Sequence, residues 1–198
     1  MNCLLVEPGE WDPATGRARL SGRRCTHARE ILRAEAGDSL RVGVVGGRMG
    51  HGRVVALDEE ALELELVLDA EPPPKRPFEL VLALPRMPVF RRLLSTVASL
   101  GAERLLIVGT ARTEKSFWQS HDVAPAAIRE RLLLGLEQAR DTVLPPVELH
   151  RHFPSLVEEV LPPRIAGRRA LVAHPGTPTP CPHRVDAPVT LFVGPEGG

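Results

Sequence analysis

The sequence is short of cysteine and lysine, and it lacks an apolar run long enough to cross a membrane. Its cysteines, Cys3, Cys25 and Cys181, are odd in number and widely spaced, which argues against a disulfide framework and a cysteine-based metal site. Cys181 and His183 alone fall short of the ligand set of a structural zinc site. No basic segment precedes Glu7, so the N-terminus does not resemble a signal peptide. We therefore expect a cytoplasmic protein with no metal and no membrane partner.

Lysine is so scarce that 23 of the 25 basic residues are arginine, while the formal net charge is zero. Residues 58–71 hold seven acids and no base, so the remainder of the chain carries a charge of +7. The planar guanidinium group suits phosphate and stacked bases, which makes this excess compatible with RNA binding. A compositional bias toward arginine accounts for it equally well. Because leucines alternate with acids over 61–67, we expect the acidic run to be mainly the solvated face of a strand rather than a metal site.

The first 71 residues consist of short segments of alternating hydrophobicity joined by turns. Strands are predicted at 3–7, 17–20, 39–45, 51–57 and 61–67, with one brief helix at 26–32. Successive strands with short connections predict a small antiparallel β-barrel over residues 1–71. Three consecutive prolines within 72–77 predict a stiff extended linker that separates this domain from the rest of the chain.

Residues 78–198 follow a different pattern, in which plain apolar strands alternate with helices. Strands are predicted at 79–84, 105–108, 147–149, 169–173 and 189–193, and helices at 89–100, 125–139 and 155–161. This alternation predicts an α/β domain with a parallel sheet covered on both faces. Ligands of such sheets bind at the carboxyl ends of the strands. Three segments leave such ends, and they are residues 85–86, 174–176 and 194–198.

The chain ends in Gly-Pro-Glu-Gly-Gly, residues 194–198, directly after a predicted buried strand. A glycine-rich turn in this place can present backbone N–H groups to a ligand. Its spacing is neither that of a dinucleotide fingerprint nor that of a P-loop. Taken alone, the turn is either a ligand loop or an ordinary connection from a strand to a helix.

Six motifs occur in a fixed order along nearly the whole chain. They are His-Ala-Arg-Glu-Ile-Leu-Arg at 27–33 with Gly-Asp at 37–38, Ala-Leu-Pro-Arg at 83–86, Thr-Val-Ala-Ser-Leu-Gly at 96–101, Arg-Thr-Glu-Lys at 112–115, Glu-Gln-Ala-Arg at 137–140 with Leu-Pro-Pro-Val at 144–147, and the glycine-rich end. Each is weak alone, but together they resemble the ribosomal small-subunit methyltransferase E family of the knotted SPOUT superfamily.

This resemblance implies both a fold and an activity. The fold is an α+β, PUA-like N-terminal barrel that holds RNA, followed by an α/β domain of the trefoil-knot type that binds S-adenosyl-L-methionine. The activity is transfer of the methyl group to N3 of a uridine in 16S ribosomal RNA, so the small ribosomal subunit is the expected partner. Members of the family are homodimers with each active site near the subunit interface.

The resemblance also implies site residues in the second domain. The cofactor loop comprises Gly194, Pro195, Glu196 and Gly197, and a preceding knot loop comprises His174 and Pro175. Candidates for catalytic electrostatics, or for contacts to RNA phosphate, to a base or to the subunit interface, are Arg86, Arg112 and Arg140. Guanidinium is a poor proton acceptor, so their role would be to lower the pKa of N3 or to stabilise the developing negative charge. Two carboxylates, Glu137 and Glu196, are expected to be scaffold residues rather than general bases.

In the first domain, the candidates for RNA contact are Arg23, Arg24, His27 and Arg33. A structural alternative exists for two of them. His27 would then bond a backbone group, and Arg33 would pair with Asp38.

The sequence departs from the family in two ways. The helix after Arg86 lacks the family's acids and glutamine, which indicates a divergent subgroup. The family also continues beyond the glycine-rich loop with a segment that completes the knot, so we expect the knot to be incomplete in this chain and the chain to be a fragment that binds its cofactor weakly. Two other functions stay open: a non-catalytic RNA-binding protein that has lost the cofactor site, and a different α/β enzyme that binds a nucleotide at the glycine loop.

Overall fold

The computed structural model describes residues 2–195, which fall into two compact units. The first unit comprises Met1–Pro73 and Leu136–Leu144, and the second comprises Pro74–Gly135 and Pro145–Gly198. The boundary after Pro73 lies within the predicted linker, but a strand already begins at Arg76. The sequence predicted a single crossing between domains, whereas residues 136–144 return to the first unit. They do so because the Thr142 hydroxyl donates to the Gly47 carbonyl at 2.6 Å and the Thr142 carbonyl accepts from the Gly46 N–H at 2.8 Å.

The first unit contains a six-stranded sheet and one helix. Its elements are β1 (Leu4–Val6), β2 (Trp11–Asp12), β3 (Arg17–Ser21), α1 (Arg23–Glu30), β4 (Ser39–Val44), β5 (Met49–Leu57) and β6 (Ala61–Ala70). The strand order is β1-β4-β5-β6-β3-β2. The prediction of purely antiparallel pairing is wrong at one place, because β1 and β4 are parallel. Since β2, β3 and α1 lie between them in the chain, the connection is a long crossover and not a hairpin.

Alternation along β6 separates its two faces. The inward residues are buried, and they are Leu62, Leu64 and Leu66. Outward, Glu63 stands opposite Arg19 and Glu65 opposite Arg17 in the antiparallel register with β3. Opposite charges in such cross-strand positions stabilise a sheet modestly. Three of the seven acids of 58–71 lie in β6, namely Glu63, Glu65 and Asp69, and the other four flank the strand. The prediction that the acidic run is mainly a strand face is therefore confirmed only for these three, and arginines of β3 balance part of their charge.

The second unit is built on a five-stranded, fully parallel sheet, which confirms the predicted α/β fold. Its strands are β7 (Arg76–Ala83), β8 (Ala102–Val108), β9 (Val147–His150), β10 (Arg169–Ala173) and β11 (Val189–Val193), in the order β10-β11-β7-β8-β9. Its helices are α2 (Met87–Ser99), α3 (Pro125–Ala139), α4 (Phe153–Ser155) and α5 (Leu161–Ile165), and a π-helical turn (Leu156–Val160) joins the last two. The residues of β8 from Leu105 to Val108 are fully buried, as expected for a central strand with both faces covered. The prediction that the whole sheet is covered on both faces is wrong at the edge strand β10, where Val172 is 71% exposed.

Two helices of this unit, α2 and α3, pack closely at Gly135. A Cβ atom added to Gly135 would lie 2.2 Å from the Ser95 carbonyl oxygen, so only glycine permits this approach. Hydroxyl groups fix the contact, since Ser95 donates to the Arg131 carbonyl at 2.9 Å and Ser99 to the Gly135 carbonyl at 3.0 Å. From residue 2 to residue 195, no helix combines the length and apolar character needed to span a bilayer.

A charge cluster ties α5 to the edge strand β9. The Glu148 carboxylate accepts hydrogen bonds from Arg164 at 2.9 and 3.0 Å and from Arg104 at 2.5 Å, and His150 Nε2 lies 3.3 Å away. Burial by itself would raise the pKa of Glu148, but the hydrogen bonds from Arg164 and Arg104 outweigh it and lower the pKa from 4.5 to about 2. The contacts of this cluster therefore form in the folded protein only while the Glu148 carboxylate is ionised.

We expect this cluster to make stability depend on acid pH. The folded-state pKa of Glu148 is depressed, so its contribution is complete above pH 4.5 and is lost as the pH falls toward about 2. The loss should be on the order of 2 kcal/mol, because the carboxylate is only partly buried. Urea unfolding across this pH range measures it, with Glu148→Gln as the matched variant. The stability difference between wild type and variant should shrink as the pH falls, and a constant difference would contradict the assignment.

Candidate functional site

The carboxyl ends of β8, β10 and β11 border a cleft of about 1050 Å³ in the second unit. The segments that follow these strands, 110–112, 174–175 and 194–195, line it. Parallel α/β sheets place their ligands at this edge. The volume is slightly above the roughly 300–1,000 Å³ that is typical of small-molecule sites. The cleft is therefore the candidate site of this unit.

The cleft brings together residues that are far apart in the sequence. Of the residues predicted to bind cofactor or assist catalysis, the lining includes Arg112, His174, Pro175, Gly194 and Pro195. A Cβ atom added to Gly194 would have no heavy atom of the described residues within 4 Å, so the backbone there is open toward them. An open backbone turn next to two short loops can receive a small polar ligand. Glu196 and Gly197 were also predicted to contact the cofactor, and they lie outside the described residues.

An aromatic pair forms part of the cleft wall. Phe153, at the start of α4, meets Phe192 of β11 edge to face, with ring centroids 5.9 Å apart and planes at 78°. Leu156 anchors the helical segment, because it is fully buried against Val81 and Leu106. Phe153 was not among the residues predicted from the sequence, although it lies just beyond the carboxyl end of β9. The rule that identified the other loops would have found it.

The turn after β8 carries Arg112 into the cleft. The Thr110 N–H donates to the Thr113 hydroxyl at 3.1 Å, and the Thr113 N–H donates to the Thr110 carbonyl at 3.0 Å. These two bonds close the turn around Arg112. The turn is thus a defined structure, and Arg112 is the one predicted catalytic arginine that lines the cleft.

Gly109 connects this turn to β8 through a crowded position. A Cβ atom there would lie 2.6 Å from the Arg151 carbonyl oxygen and 3.1 Å from Trp118 Nε1. The Arg151 guanidinium carbon stands 5.4 Å from the centroid of the Trp118 ring, a cation–π distance. The end of β9 and the indole ring therefore enclose the backbone that leads to Arg112.

The other two predicted catalytic arginines lie elsewhere. Arg86 directly precedes α2, where its carbonyl accepts from the Phe90 N–H at 2.9 Å, and it is not among the residues that line the cleft. Arg140 belongs to the first unit. It directly follows α3, is exposed, and adopts a positive φ of 57°. Among the described residues, His, Cys, Asp and Glu side chains form no group of three or more that could hold a metal ion.

Two of the predicted RNA contacts in the first unit have partners within the protein. The Arg24 guanidinium bonds both carboxylate oxygens of Glu10 at 2.5 and 2.6 Å and the Leu5 carbonyl at 2.7 Å. Arg23 pairs with Glu137 at 2.7 Å, and Glu137 is only 2% exposed. Arg24 is therefore held in the fold, whereas Arg23 is half exposed and still reaches solvent.

As structural alternatives to RNA contact, His27 was expected to bond a backbone group and Arg33 to pair with Asp38. Neither interaction is found between residues 2 and 195. His27 Nε2 is buried and has no hydrogen-bond partner within that range. Burial, together with the positive charge of Arg23, lowers the pKa of His27 and favours its neutral form. The Asp38 carboxylate accepts from the Glu35 N–H at 2.8 Å and makes no pair with Arg33. Arg33 is exposed and has a positive φ of 51°.

The sequence profile of the RNA methyltransferase domain matches residues 71–198, which include all the residues that line the cleft. The chain belongs to this family. The six motifs of the sequence indicated the ribosomal small-subunit methyltransferase E family. This profile match and the two curated relatives below confirm that resemblance.

Two curated relatives are similar to most of this chain. The chain is 33% identical to the ribosomal RNA small subunit methyltransferase E of Treponema pallidum over 148 residues, and this aligned region covers 73% of the chain and 55% of that protein. It is 23% identical over 153 residues to a ribosomal RNA small subunit methyltransferase E 1 of Borreliella burgdorferi, which is 77% of this chain and 63% of that protein. The matched part of the chain thus spans less than two thirds of the length of either relative.

Solved structures share the fold at lower identity. A ribosomal RNA small subunit methyltransferase E from Neisseria gonorrhoeae, bound to S-adenosylmethionine, superposes with a TM-score of 0.70 at 17% identity and covers 100% of this chain and 81% of that one. A methyltransferase from Legionella pneumophila, in complex with the same cofactor, gives 0.70 at 18% identity with the same coverage. These two similarities show that this chain has the α/β fold of the two methyltransferases.

Proposed function

We propose that this protein transfers the methyl group of S-adenosyl-L-methionine to N3 of a uridine in 16S ribosomal RNA. The observation that carries the proposal is that one cleft brings together Arg112, His174, Pro175 and Gly194. This cleft lies within the region matched to the RNA methyltransferase family. The curated relatives carry the name of ribosomal RNA small subunit methyltransferases, and two relatives of known structure hold the cofactor. From family membership, we also propose a cytoplasmic homodimer that acts on the small ribosomal subunit.

The lining of the cleft fits the cofactor's chemistry. Apolar side chains such as Leu171, Leu191 and Phe192 offer contacts for the carbon framework of the ligand. The open turn at Gly194 and the neighbouring loop at His174 offer polar backbone groups for its charged ends. When bound, S-adenosylmethionine supplies an activated methyl group on a sulfonium centre. The protein's task is then to hold that ligand and the target base in line.

Arg112 is the residue to which we assign the electrostatic part of catalysis. N3 of uridine carries a proton at neutral pH, so negative charge develops on the base as that proton leaves. A positive side chain in the cleft lowers the pKa of N3 and stabilises this charge without accepting the proton itself. Arg86 and Arg140 were candidates for the same role, but neither lines the cleft. Arg112 reaches it because its turn is closed by Thr110 and Thr113.

The first test is ligand binding by calorimetry. In a titration of the full-length protein, we expect S-adenosylmethionine to bind and ATP not to bind, because the turn at Gly194 lacks the spacing of a phosphate-binding loop. Binding of ATP without binding of S-adenosylmethionine would favour a nucleotide enzyme instead. Binding of RNA with no binding of S-adenosylmethionine would favour a non-catalytic RNA-binding protein.

The second test is catalysis by an Arg112→Gln variant. Its rate of 3-methyluridine formation in 16S ribosomal RNA should fall by about 100-fold while its cofactor affinity stays unchanged, because only the charge that develops in the transition state loses its partner. Lys115→Gln is the matched control, since Lys115 is an exposed cation on the same connection and does not line the cleft. Equal rates for the two variants would exclude the role assigned to Arg112.

A further inference from the structure

The order of the strands divides the cleft of the second unit into two halves. The loops at 174–175 and 194–195 follow β10 and β11, which are neighbours at one edge of the sheet. Arg112 and Phe153 follow β8 and β9, which are neighbours at the other edge. The proposed function assigns the first half to the cofactor, so the second half is available to the other reactant.

Arg112 and Phe153 leave the sheet at adjacent points. Val108, the last residue of β8, pairs with His150, the last residue of β9, and the Gly109 N–H donates to the His150 carbonyl at 2.8 Å. Arg112 follows Val108 by four residues, and Phe153 follows His150 by three. Since both residues also line the cleft, they border the same part of it.

Within residues 2–195, Phe153 is the one exposed aromatic residue. This range includes the two tryptophans and five phenylalanines of the sequence, which has no tyrosine. The other six aromatic residues are partly or fully buried, whereas Phe153 is 38% exposed. An aromatic ring contributes to folding mainly through the area that it buries, so a ring left open in a cleft is a candidate for contact with a ligand.

The ring of Phe153 is held in place although it is exposed. It belongs to the first residue of α4, Pro154 restricts the backbone at the next position, and Leu156 anchors the following turn because it is fully buried. The contact with Phe192 is edge to face, with planes at 78°, and such a contact occupies no more than one face of either ring. At least one face of the Phe153 ring is therefore free of Phe192 and can meet a planar ligand.

We propose that Phe153 is the stacking platform for the base that is methylated. A uracil turned out of the RNA strand lies against the ring of Phe153, and its N3 atom points toward Arg112. Aromatic side chains bind unstacked bases in this way. The methyl donor then approaches N3 from the cofactor half of the cleft. This role rests on the proposed function, since it requires that the cleft hold both a base and a methyl donor.

The position of Arg112 favours the substrate base over the adenine of the cofactor as the ligand of this ring. Negative charge develops on the uracil as N3 loses its proton, and a guanidinium group beside the base stabilises that charge. The adenine stays neutral during the reaction and gains nothing from such a neighbour. Apolar residues of the cofactor half, such as Leu171 and Leu191, offer adenine a separate place.

The test compares Phe153→Leu with Phe153→Tyr in the full-length protein, on an RNA fragment that carries the uridine methylated by the wild type. Leucine keeps an apolar side chain but cannot stack, so kcat/KM for methyl transfer should fall about 20-fold. Tyrosine keeps the ring, so Phe153→Tyr should stay within about 3-fold of the wild type. The affinity for S-adenosylmethionine, measured by calorimetry, should be the same for all three proteins.

An RNA fragment with dihydrouridine at the target position separates stacking from a structural role of Phe153. Its base keeps the N3–H group and both carbonyls, but its saturated ring is not planar. Phe153→Leu should therefore reduce methylation of this fragment much less than methylation of uridine. Val157→Ala is the matched control and should keep the wild-type kcat/KM, because Val157 is 40% exposed in the turn after α4 and does not line the cleft.

Four results would count against the platform. Wild-type kcat/KM in Phe153→Leu, or equal losses of this variant on uridine and dihydrouridine, would overturn it. Weaker binding of S-adenosylmethionine to Phe153→Leu would assign the ring to adenine and overturn it as well. A wild type that forms no 3-methyluridine would refute the proposed function and this role together, whereas an active wild type with an equally active Phe153→Leu would refute this role alone.

Discussion

Replacement of Gly109 with alanine is expected to reduce the proposed methyl transfer by about 100-fold while cofactor affinity is preserved. The new Cβ atom would lie 2.6 Å from the Arg151 carbonyl oxygen, which is closer than carbon and oxygen atoms can approach. The obstacle is a backbone atom, so no side chain can rotate to make room. The Gly109 N–H also donates to the His150 carbonyl at 2.8 Å, and this bond keeps the ends of β8 and β9 together. Relief of the clash must therefore move one strand end away from the other.

The displacement would be passed to the turn that begins at Thr110. That turn places Arg112 in the cleft, and a misplacement of about 1 Å at a reacting centre is enough for a loss of this size. Of the turn after β11, the described residues Gly194 and Pro195 do not take part in these contacts, so cofactor binding should persist. The measurement combines the rate of 3-methyluridine formation with calorimetric titration of S-adenosylmethionine.

Gly9→Ala controls for the substitution itself. A Cβ atom at Gly9 meets no heavy atom within 4 Å, so its rate should equal that of the wild type. Urea unfolding of Gly109→Ala should show a loss of about 1–3 kcal/mol, as for other overpacked sites, which leaves the protein folded. A folded Gly109→Ala protein with the wild-type rate would show that the position of Arg112 does not limit catalysis.

Gly50→Ala should have the largest effect on the stability of the first unit. A Cβ atom at Gly50 would lie 1.9 Å from the Val67 carbonyl oxygen and 2.9 Å from the Leu68 Cα atom. Gly50 stands at an irregularity in the register between β5 and β6, where Met49 pairs with Ala70 and Gly50 pairs with Leu68. Both obstacles are backbone of the partner strand, so the sheet must open there.

We expect a loss of about 3 kcal/mol or more, which is within the range of severe backbone clashes and a large part of the stability of a small domain. Hydrogen exchange should show early loss of protection in β5 and β6, and RNA binding should weaken with it. Gly47→Ala is the control, because its Cβ atom would come no closer than 3.5 Å to any neighbour. Unchanged protection of β6 in Gly50→Ala would show that the sheet accommodates the clash.

The sequence was most informative where structure follows from local periodicity. Strict alternation over 61–67 identified β6 and its buried face, because successive side chains of a strand point to opposite sides. Plain apolar segments between helices identified the parallel sheet, since strands with both faces covered need no polar side. The general rule for such sheets then located the cleft loops at 174 and 194, but its third segment, 85–86, does not line the cleft, and the loop at 112 was indicated only by the family resemblance.

Long-range pairing was not predictable from periodicity. The parallel contact of β1 with β4 and the return of residues 136–144 to the first unit join segments that are distant in the chain, and the local pattern of each would suit other partners. The cluster around Glu148 is similar, because Arg104, Arg164 and His150 come from three different elements. The left-handed backbone at Arg140 also violates the usual preference for glycine.

By itself, the sequence determined the elements, the parallel sheet and the family, because these depend on patterns and motifs that lie within short stretches of chain. Only the tertiary structure decided which arginines belong to which site. Arg112 enters the cleft because a closed turn follows β8, whereas Arg140 belongs to the first unit because the segment after α3 bonds to it. The physical reason is that an arginine's role is set by its neighbours in space, and those neighbours come from distant parts of the chain.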